Sequence, residues 1–400
     1  MKKVVLGEVC DFFNGGAWSD KEYVNEGIPV LKVTNCKSTG FQLDNLNYLS
    51  EKSREKYKKN NLIIGDIIVA TVGSHPNLKE SAAGRSCIVN SQVEGFYLNQ
   101  NAVCIRTKDK RILSQKYLGY LCKCADFQHY IQSRGRGAAN QMRIAISSIK
   151  EYSFTLPDFE NQQYIADVLS AYDDLIENNQ KQIKLLEEAA RRFYKEWFVD
   201  LRFPGHENTK IVDGVPEGWN EKALSQVANV IMGQSPKSEF YNSEKRGLPF
   251  HQGVGSYGVR FVMDDIYSTS YTRIAEPNSI LFSVRAPVGR LNITKNKVVI
   301  GRGLAAINQT DGCQSYLYYL LKNKFFKDNI VGNGSIFASV SKDELLNQKF
   351  LIPERNLMMQ FEKIVSQMDK QIENLDSKNK KLIEARDRLL PKLMSGEVEV

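Results

Sequence analysis

Two stretches of the chain repeat one heptad pattern of apolar residues. In 158–198 and again in 354–393, apolar side chains alternate three and four residues apart without a break in register. The offset that superimposes Ile165 on Phe361 also superimposes Leu169 on Val365. An apolar period of about 3.5 residues makes two helices wind around each other and bury the shared seam. The predicted seam consists of Ile165, Leu169, Tyr172, Ile176, Ile183, Leu186, Phe361, Val365, Met368, Ile372, Leu375 and Leu382.

The positions of these stretches predict the order of the domains. We expect a first globular domain over 1–157, a long helix over 158–200, a linker with a second globular domain over 201–353, and a second long helix with a tail over 354–400. Each helix should be about 57 Å long. The chain leaves the first domain along one helix and returns from the second domain along the other. The helices are therefore predicted to be antiparallel. The predicted fold class is α+β, with two similar mixed α/β domains related by a pseudo-two-fold tandem duplication.

The two globular stretches repeat the same elements. Leu6–Val9 and Leu224–Val227 open them. A strand behind a Gly-x-Pro sequence follows in both, and amphipathic helices are predicted over 114–133 and 316–330. The loops differ, since 134–143 is rich in arginine and glycine and its counterpart at 332–335 is not basic. This pattern is typical of a duplicated scaffold with two separate specificities.

Charge and cysteine content restrict the class of protein. Lys and Arg total 54 against 46 Asp and Glu, so the chain carries +8 and favours an anionic partner. Its seven cysteines contain no Cys-x-x-Cys pair, which argues against a zinc site or a disulfide framework and predicts reduced thiols in the core. Without a signal-peptide pattern or a long apolar run, the protein is expected in the cytoplasm, away from membranes.

No catalytic group emerges from a search for motifs. Residues 253–258 match G-x-G-x-x-G, but a nucleotide site needs a helix directly afterwards, and 259–262 favours a strand. The absence of any Gly-Lys pair excludes a P-loop. The four histidines, His75, His129, His206 and His251, lack metal-ligand spacing. We therefore predict no catalytic residue, metal or cofactor in this chain.

Four motifs carry a resemblance to a known family. They are 202–207 (RFPGHE), 215–219 (VPEGW), 281–289 (LFSVRAPVG) and 389–397 (LLPKLMSGE). Together with the order of domains and helices, they resemble the specificity subunit of type I restriction-modification enzymes over nearly the whole chain. The resemblance implies two target recognition domains, each recognising half of a bipartite, asymmetric site in double-stranded DNA.

The resemblance also implies partners. The helices would set the spacing of the half-sites and bind two methyltransferase subunits, and through them restriction subunits. S-adenosylmethionine, ATP and Mg²⁺ would belong to those partners and not to this chain.

Recognition of base edges requires Arg, Lys, Asn, Gln or Ser on exposed loops. Residues 69–74 stand where the second domain has its Arg285 loop, so contacts there are not transferred between the domains. In the first domain the candidates for DNA binding are Ser74, His75, Asn77, Lys79, Arg134, Arg136, Asn140, Gln141 and Arg143. In the second domain they are Lys245, Arg246, His251, Gln252, Tyr257, Arg260, Arg285 and Asn333.

Other interpretations remain open from the sequence. A coiled-coil scaffold with basic domains that bind RNA or acidic partners non-specifically has the same composition, and so does an enzyme with an unrecognised site. Asn179 and Asn379 occupy seam positions, where buried polar residues can fix helix register. Whether these two residues meet is not decided by the pattern.

Overall fold

The computed structural model describes residues 2–37, 40–43, 45–74, 82–138, 141–325 and 339–398. Contacts divide the chain into two compact units. Unit 1 is Met1–Asn179 with Lys378–Val400, and unit 2 is Gln180–Ser377. Each unit therefore contains one globular domain and a part of both long helices. The predicted limits, based on the repeat in the sequence, treat each long helix as a separate segment. The division by contacts instead assigns one part of each long helix to unit 1 and the other part to unit 2.

Unit 1 contains two four-stranded sheets. The first is antiparallel, with the order Ser86–Ile88, Ile67–Ala70, Ala102–Thr107, Cys10–Asn14. The second has the order Tyr97–Leu98, Ile28–Leu31, Asn47–Leu49, Tyr23–Val24, and its first pair is parallel. The smaller sheets are Lys2–Val5 with Ser153–Leu156, Cys36–Lys37 with Gly40–Phe41, and Arg136–Ala138 with Gln141–Arg143 and Val72–Gly73.

Unit 2 repeats this topology. Its antiparallel sheet has the order Ala228–Met232, Leu304–Gln309, Ile280–Ser283, Leu291–Ile293. Its second sheet has the order Tyr241–Asn242, Tyr267–Ser268, Leu248–His251, Val298–Ile300, Ile274–Ala275, again with one parallel pair. The strand pairs are Asn220–Ala223 with Lys349–Ile352 and Ile211–Val212 with Val215–Pro216. The predicted α+β fold with a duplicated domain is therefore confirmed.

Short helices cover one face of each antiparallel sheet. Those of unit 1 are Leu6–Val9, Gln115–Lys123, Ala125–Ser133 and Ile146–Lys150, and those of unit 2 are Leu224–Val227, Gln314–Phe325 and Lys342–Leu346. The prediction of one helix over 114–133 is wrong, because Cys124 has an extended backbone (ψ 144°) that ends the first helix and starts the second. This break turns Phe127 and Ile131 into the core of unit 1.

The two long helices run from Phe159 to Phe198 and from Arg355 to Ser395. The Asp158 side chain caps the first, since its Oδ1 accepts a hydrogen bond from the Asn161 backbone at 2.9 Å. All twelve predicted seam positions are buried or half-buried. Those buried in unit 1 are Ile165, Leu169 and Ile176, and those buried in unit 2 are Phe361, Val365, Ile372 and Leu375.

The seam also belongs to the domain cores. Ile165 and Leu169 lie in the same apolar cluster as Tyr117 of unit 1. Phe361 lies in a separate cluster with Tyr316 of unit 2. Each pair of helix segments is thus part of the folded domain beside it, which the heptad pattern alone does not reveal.

In unit 1 the helix segments are antiparallel and share a buried amide pair. Asn179 and Asn379 are 9% and 7% exposed. The Asn179 Nδ2 donates to Asn379 Oδ1 at 2.8 Å, and Asn379 Nδ2 donates to the Ile176 carbonyl at 3.4 Å. A second contact joins Arg386 to Asp173. The two asparagines therefore meet, as a register-fixing pair requires.

All seven cysteines are free and buried, as predicted. Burial raises the pKa of the thiols of Cys10, Cys104 and Cys124 to about 12. These three thiols therefore stay protonated and unreactive at neutral pH.

Candidate nucleic-acid interface

Unit 1 presents a ribbon of exposed arginines. Arg136 and Arg143 are direct cross-strand neighbours in the antiparallel pair Arg136–Ala138 and Gln141–Arg143. Both are exposed, and neither forms an ion pair within the described part of the chain. Like charges directly opposite each other on a sheet repel and cost stability. Such a pair is favourable only when an anion neutralises it, so this arginine ribbon is suited to binding phosphate groups.

The local backbone explains why the arginine ribbon forms. Gly137 has φ +136°, and a Cβ at this position would lie 2.2 Å from the Gln141 carbonyl oxygen. Met142, between the two exposed residues of its strand, is buried and pairs with Gly73. The alternation of a strand thus buries Met142 and exposes Gln141 and Arg143.

The structure brings several first-domain candidates to this edge. Arg134 is exposed, stacks 3.6 Å from the ring centre of Tyr130 and donates to the Tyr130 carbonyl at 3.3 Å. Ser74 is half-buried and directly follows the strand Val72–Gly73 of this sheet. Arg134, Arg136, Gln141 and Arg143 therefore form one polar edge. His75, Asn77, Lys79 and Asn140 lie outside the described residues.

The second-domain candidates are more scattered. Lys245 is exposed in a left-handed turn (φ +60°), and Arg246 is exposed but paired with Glu244. Gln252 is exposed and accepts a hydrogen bond from Ser235 Oγ at 2.8 Å. Arg285 is also exposed, directly before the cis peptide Ala286–Pro287. Asn333 lies outside the described residues.

The assignment of His251 to DNA contact is wrong. Its side chain is 0% exposed. Its Nδ1 lies 2.8 Å from Ser256 Oγ and its Nε2 lies 3.2 Å from Asp264 Oδ1. Both ring nitrogens are thus occupied inside the domain, so His251 holds the 253–264 loop in place.

Arg260 is also wrong as a DNA contact, because its side chain is 2% exposed. Its guanidinium pairs with Glu187 and Asp369 and donates to the Tyr319 hydroxyl at 3.1 Å. It also lies 4.4 Å from the ring centre of Tyr318. The sequence could not show this, since the two acidic partners lie on the long helices, far away along the chain.

Tyr257, like His251 and Arg260, is bound to groups inside its own unit. Its ring is half-buried, and its hydroxyl donates to the Leu281 carbonyl at 3.0 Å. The hydroxyl is therefore already paired inside the domain.

Beside Tyr257 lies a cleft that the sequence did not predict. It encloses about 390 Å³, and Val259, Pro287, Tyr318 and Lys322 are among its lining residues. Val259 stands at its mouth with 91% of its surface exposed. The sequence did not single out Val259, because an apolar residue is not among the polar types expected to contact base edges.

The described residues contain no cluster of three or more His, Cys, Asp or Glu side chains placed to hold a metal ion. None of the helices in the described ranges is both long enough and apolar enough to span a bilayer.

Comparisons with known proteins agree with the repeated topology. A family model described as type I restriction modification DNA specificity domain matches residues 1–188 and again 216–385. A Methanocaldococcus jannaschii protein assigned as the type I restriction enzyme MjaX specificity subunit is 28% identical over 400 residues, covering 99% of this chain and 93% of the relative. The Haemophilus influenzae type I restriction enzyme HindI specificity subunit is 22% identical over 462 residues, covering 96% of each.

A solved structure has the same fold. The crystal structure of a type I restriction-modification system S subunit from M. genitalium aligns with a TM-score of 0.58 at 19% identity. The alignment covers 98% of this chain and 95% of that one. The likeness of fold therefore covers both units of this chain.

Proposed function

The chain belongs to the type I restriction-modification DNA specificity family, and we propose that each of its two units recognises one half of a bipartite DNA site. One observation carries this proposal. The two units share the strand order of their antiparallel sheet but present different surfaces, the arginine ribbon in unit 1 and the cleft beside Val259 in unit 2. A repeated scaffold with unlike edges is what two independent half-sites require.

We propose that affinity and specificity come from different groups. Arg136 and Arg143 would neutralise phosphates, which supplies affinity for any sequence and makes binding sensitive to salt. Gln141 in unit 1, with Gln252 and Arg285 in unit 2, has donors that can contact base edges in a groove. All five side chains are exposed.

We further propose that the long helices set the spacing of the half-sites and bind two methyltransferase subunits, with restriction subunits attached through these. Support comes from their length, 40 and 41 residues, and from their continuity beyond each domain core. Methyl transfer and cleavage, with S-adenosylmethionine, ATP and Mg²⁺, would be the work of the partners in the cytoplasm. This chain would be a non-catalytic subunit.

Exchange of one domain tests the proposal. Residues 1–157 are replaced by the equivalent domain of a relative with a known target, and the chain is produced with its methyltransferase partner. Methylated positions in the host genome are then mapped by sequencing. We expect one half-site to change while the other half-site and the spacing stay the same.

A change in both half-sites at once would contradict independent recognition. Equal retention of the complex on random duplex, single strands and heparin, with no methylated motif, would contradict sequence-specific recognition altogether.

A further inference from the structure

Val259 is the most exposed large apolar side chain among the described residues, at 91% of its surface. It lies at the apex of a tight turn in which Tyr257 and Val262 form an antiparallel bridge. Single exposed apolar residues are common on protein surfaces. Val259 differs from such residues in the rigid backbone and the charged groups that surround it.

The backbone on both sides of Val259 is fixed. Gly258 N donates to the Phe261 carbonyl at 3.1 Å, and the Gly258 carbonyl accepts from Asn292 Nδ2 at 3.0 Å. A Cβ at Gly258 would lie 2.5 Å from the Phe261 oxygen, so the turn requires glycine there. On the other side, the Arg260 carbonyl accepts from Ile293 N at 2.9 Å. A turn this firmly held presents its apex residue in one position.

In addition to these backbone hydrogen bonds, the buried Arg260 side chain fixes the position of the turn. Its ion pairs with Glu187 and Asp369 tie the residue next to Val259 to both long-helix segments of unit 2. The Val259 side chain itself adds little to folding, because 91% of its surface is exposed. Pre-organisation does help a residue that binds, since less conformational freedom is lost on contact.

The neighbouring groups indicate the chemistry of the ligand. Lys322 and Arg290 line the cleft at whose mouth Val259 stands, together with Pro287 and Tyr318. Cationic groups around an apolar apex match a polyanion that also offers apolar contacts. In the major groove of DNA, the apolar feature of a base pair is the C5-methyl group of thymine.

We propose that Val259 is a specificity-determining residue that contacts the C5-methyl group of a thymine in the half-site of unit 2. Arg260 is a positioning residue for this contact. The inference rests on the proposed function and deepens it by naming the group that is recognised.

The test uses the full chain in complex with its methyltransferase partner. Once the site is mapped, duplexes are prepared in which each thymine of the second half-site is replaced in turn by deoxyuridine, which lacks the methyl group. At one position we expect methylation to fall about fourfold, the effect of one methyl group lost from an apolar contact. In the Val259→Ala variant the difference between the thymine and uracil duplexes should become smaller, because the shorter side chain buries less of the methyl group.

Val212→Ala is the matched control, because Val212 is an exposed valine of unit 2 outside the cleft. It should keep the wild-type ratio of thymine to uracil. The first half-site should tolerate deoxyuridine equally well in the wild type and in both variants.

The outcomes separate this inference from the proposed function. A Val259→Ala variant that keeps the wild-type thymine preference, or a second half-site without any A·T pair, would overturn the contact while bipartite recognition stands. Weaker assembly of Val259→Ala with the methyltransferase, with an unchanged ratio of thymine to uracil methylation at saturating methyltransferase, would show that Val259 contacts protein and not DNA. A wild-type complex with no motif at all would refute the proposed function.

Discussion

The two units use the same tyrosine–aspartate contact but complete it with cations from different places. Tyr120 and Tyr319 are each the sixth residue of their short helix, and their hydroxyls donate to Asp173 at 2.8 Å and to Asp369 at 3.4 Å. In unit 1 the arginine that pairs with the aspartate is Arg386, on the second long helix. In unit 2 it comes from the turn beside the cleft. The tyrosine–aspartate contact is thus common to both units. Its arginine partner lies on a long helix in unit 1 and on a surface turn in unit 2.

The helix segments differ at an equivalent position as well. The offset that superimposes Ile165 on Phe361 places Leu375 at the position of Asn179, and Ile183 at that of Asn379. Unit 1 therefore has a hydrogen-bonded amide pair where unit 2 has aliphatic side chains. A buried amide pair usually lowers stability and fixes helix register. We therefore expect the helix register to be fixed in unit 1, and the aliphatic residues to contribute more stability in unit 2.

The largest effect is expected from removing the cation in unit 2. Arg260→Ala leaves Asp369 and Glu187 without their buried partner, and loss of one member of a buried pair costs about 3–5 kcal/mol. Arg386→Ala should cost less, about 1–2 kcal/mol, because Asp173 keeps Lys123 and Tyr120. Urea unfolding with hydrogen exchange of peptides from each unit measures both losses.

The same pair of variants separates the two anchors functionally. Arg260→Ala should weaken recognition of the second half-site, while Arg386→Ala should leave both half-sites recognised. Equal destabilisation by the two variants would mean that the source of the cation is unimportant.

A smaller effect is expected from the amide pair. The single change Asn179→Leu leaves the buried Asn379 Oδ1 without its hydrogen-bond donor and should cost about 1–3 kcal/mol. The double change Asn179→Leu with Asn379→Ile introduces the residues that unit 2 has at these positions, and its stability should equal or exceed that of the wild type. Urea unfolding of unit 1 measures both changes.

The double variant also tests register. If the asparagines fix it, hydrogen exchange in the helix segments of unit 1 should become faster even as global stability rises. A double variant as destabilised as the single one would show that the amides contribute net stability.

Local signals in the sequence determined what could be predicted. Heptads, caps such as Asp158 and the repeated motifs depend on residues close together in the chain, so the helices and the duplication were predictable. The charges of Arg260 and His251 suggested surface positions because their partners are brought in only by folding. Val259 was missed for the opposite reason, since its type suggests a core position and only the fold exposes it.

The salt dependence of DNA binding distinguishes free from paired arginines. Each phosphate contact adds about 0.9 to the slope of log Kd against log salt concentration. Arg136→Ala with Arg143→Ala should therefore lower the slope by up to about 1.8. Arg246→Ala in unit 2 should change the slope little, because Glu244 already neutralises that guanidinium.

Fluorescence anisotropy titrations of the assembled complex at several NaCl concentrations give the slopes. An equal change of slope in both variants would argue against the arginine ribbon as the phosphate site.

The smallest effects are expected from pH, with opposite signs in the two units. Burial alone would raise the pKa of Asp173, but Lys123 and Arg386 outweigh it and hold the pKa below its ordinary value of 3.8. Stability from Asp173 is thus present above pH 3.8 and is lost as the pH falls through the lower, folded-state pKa. Burial raises the pKa of Glu362 above 4.5, despite hydrogen bonds from the Ser315 and Tyr316 backbone.

Glu362 therefore favours folding in its protonated form, and unit 2 should lose stability as the pH rises from 4.5 through the raised pKa. Glu362→Gln should flatten this decline, and Asp173→Asn should flatten the acid loss in unit 1. Trp197 and Trp219 are buried in unit 2, and Trp18 lies in unit 1. In a Trp18→Phe background, tryptophan fluorescence in urea titrations between pH 3 and 7 therefore follows unit 2, while hydrogen exchange follows unit 1. A decline of unit 2 that persists in Glu362→Gln would assign it to another group, and a decline of the same sign in both units would contradict the difference between their buried carboxylates.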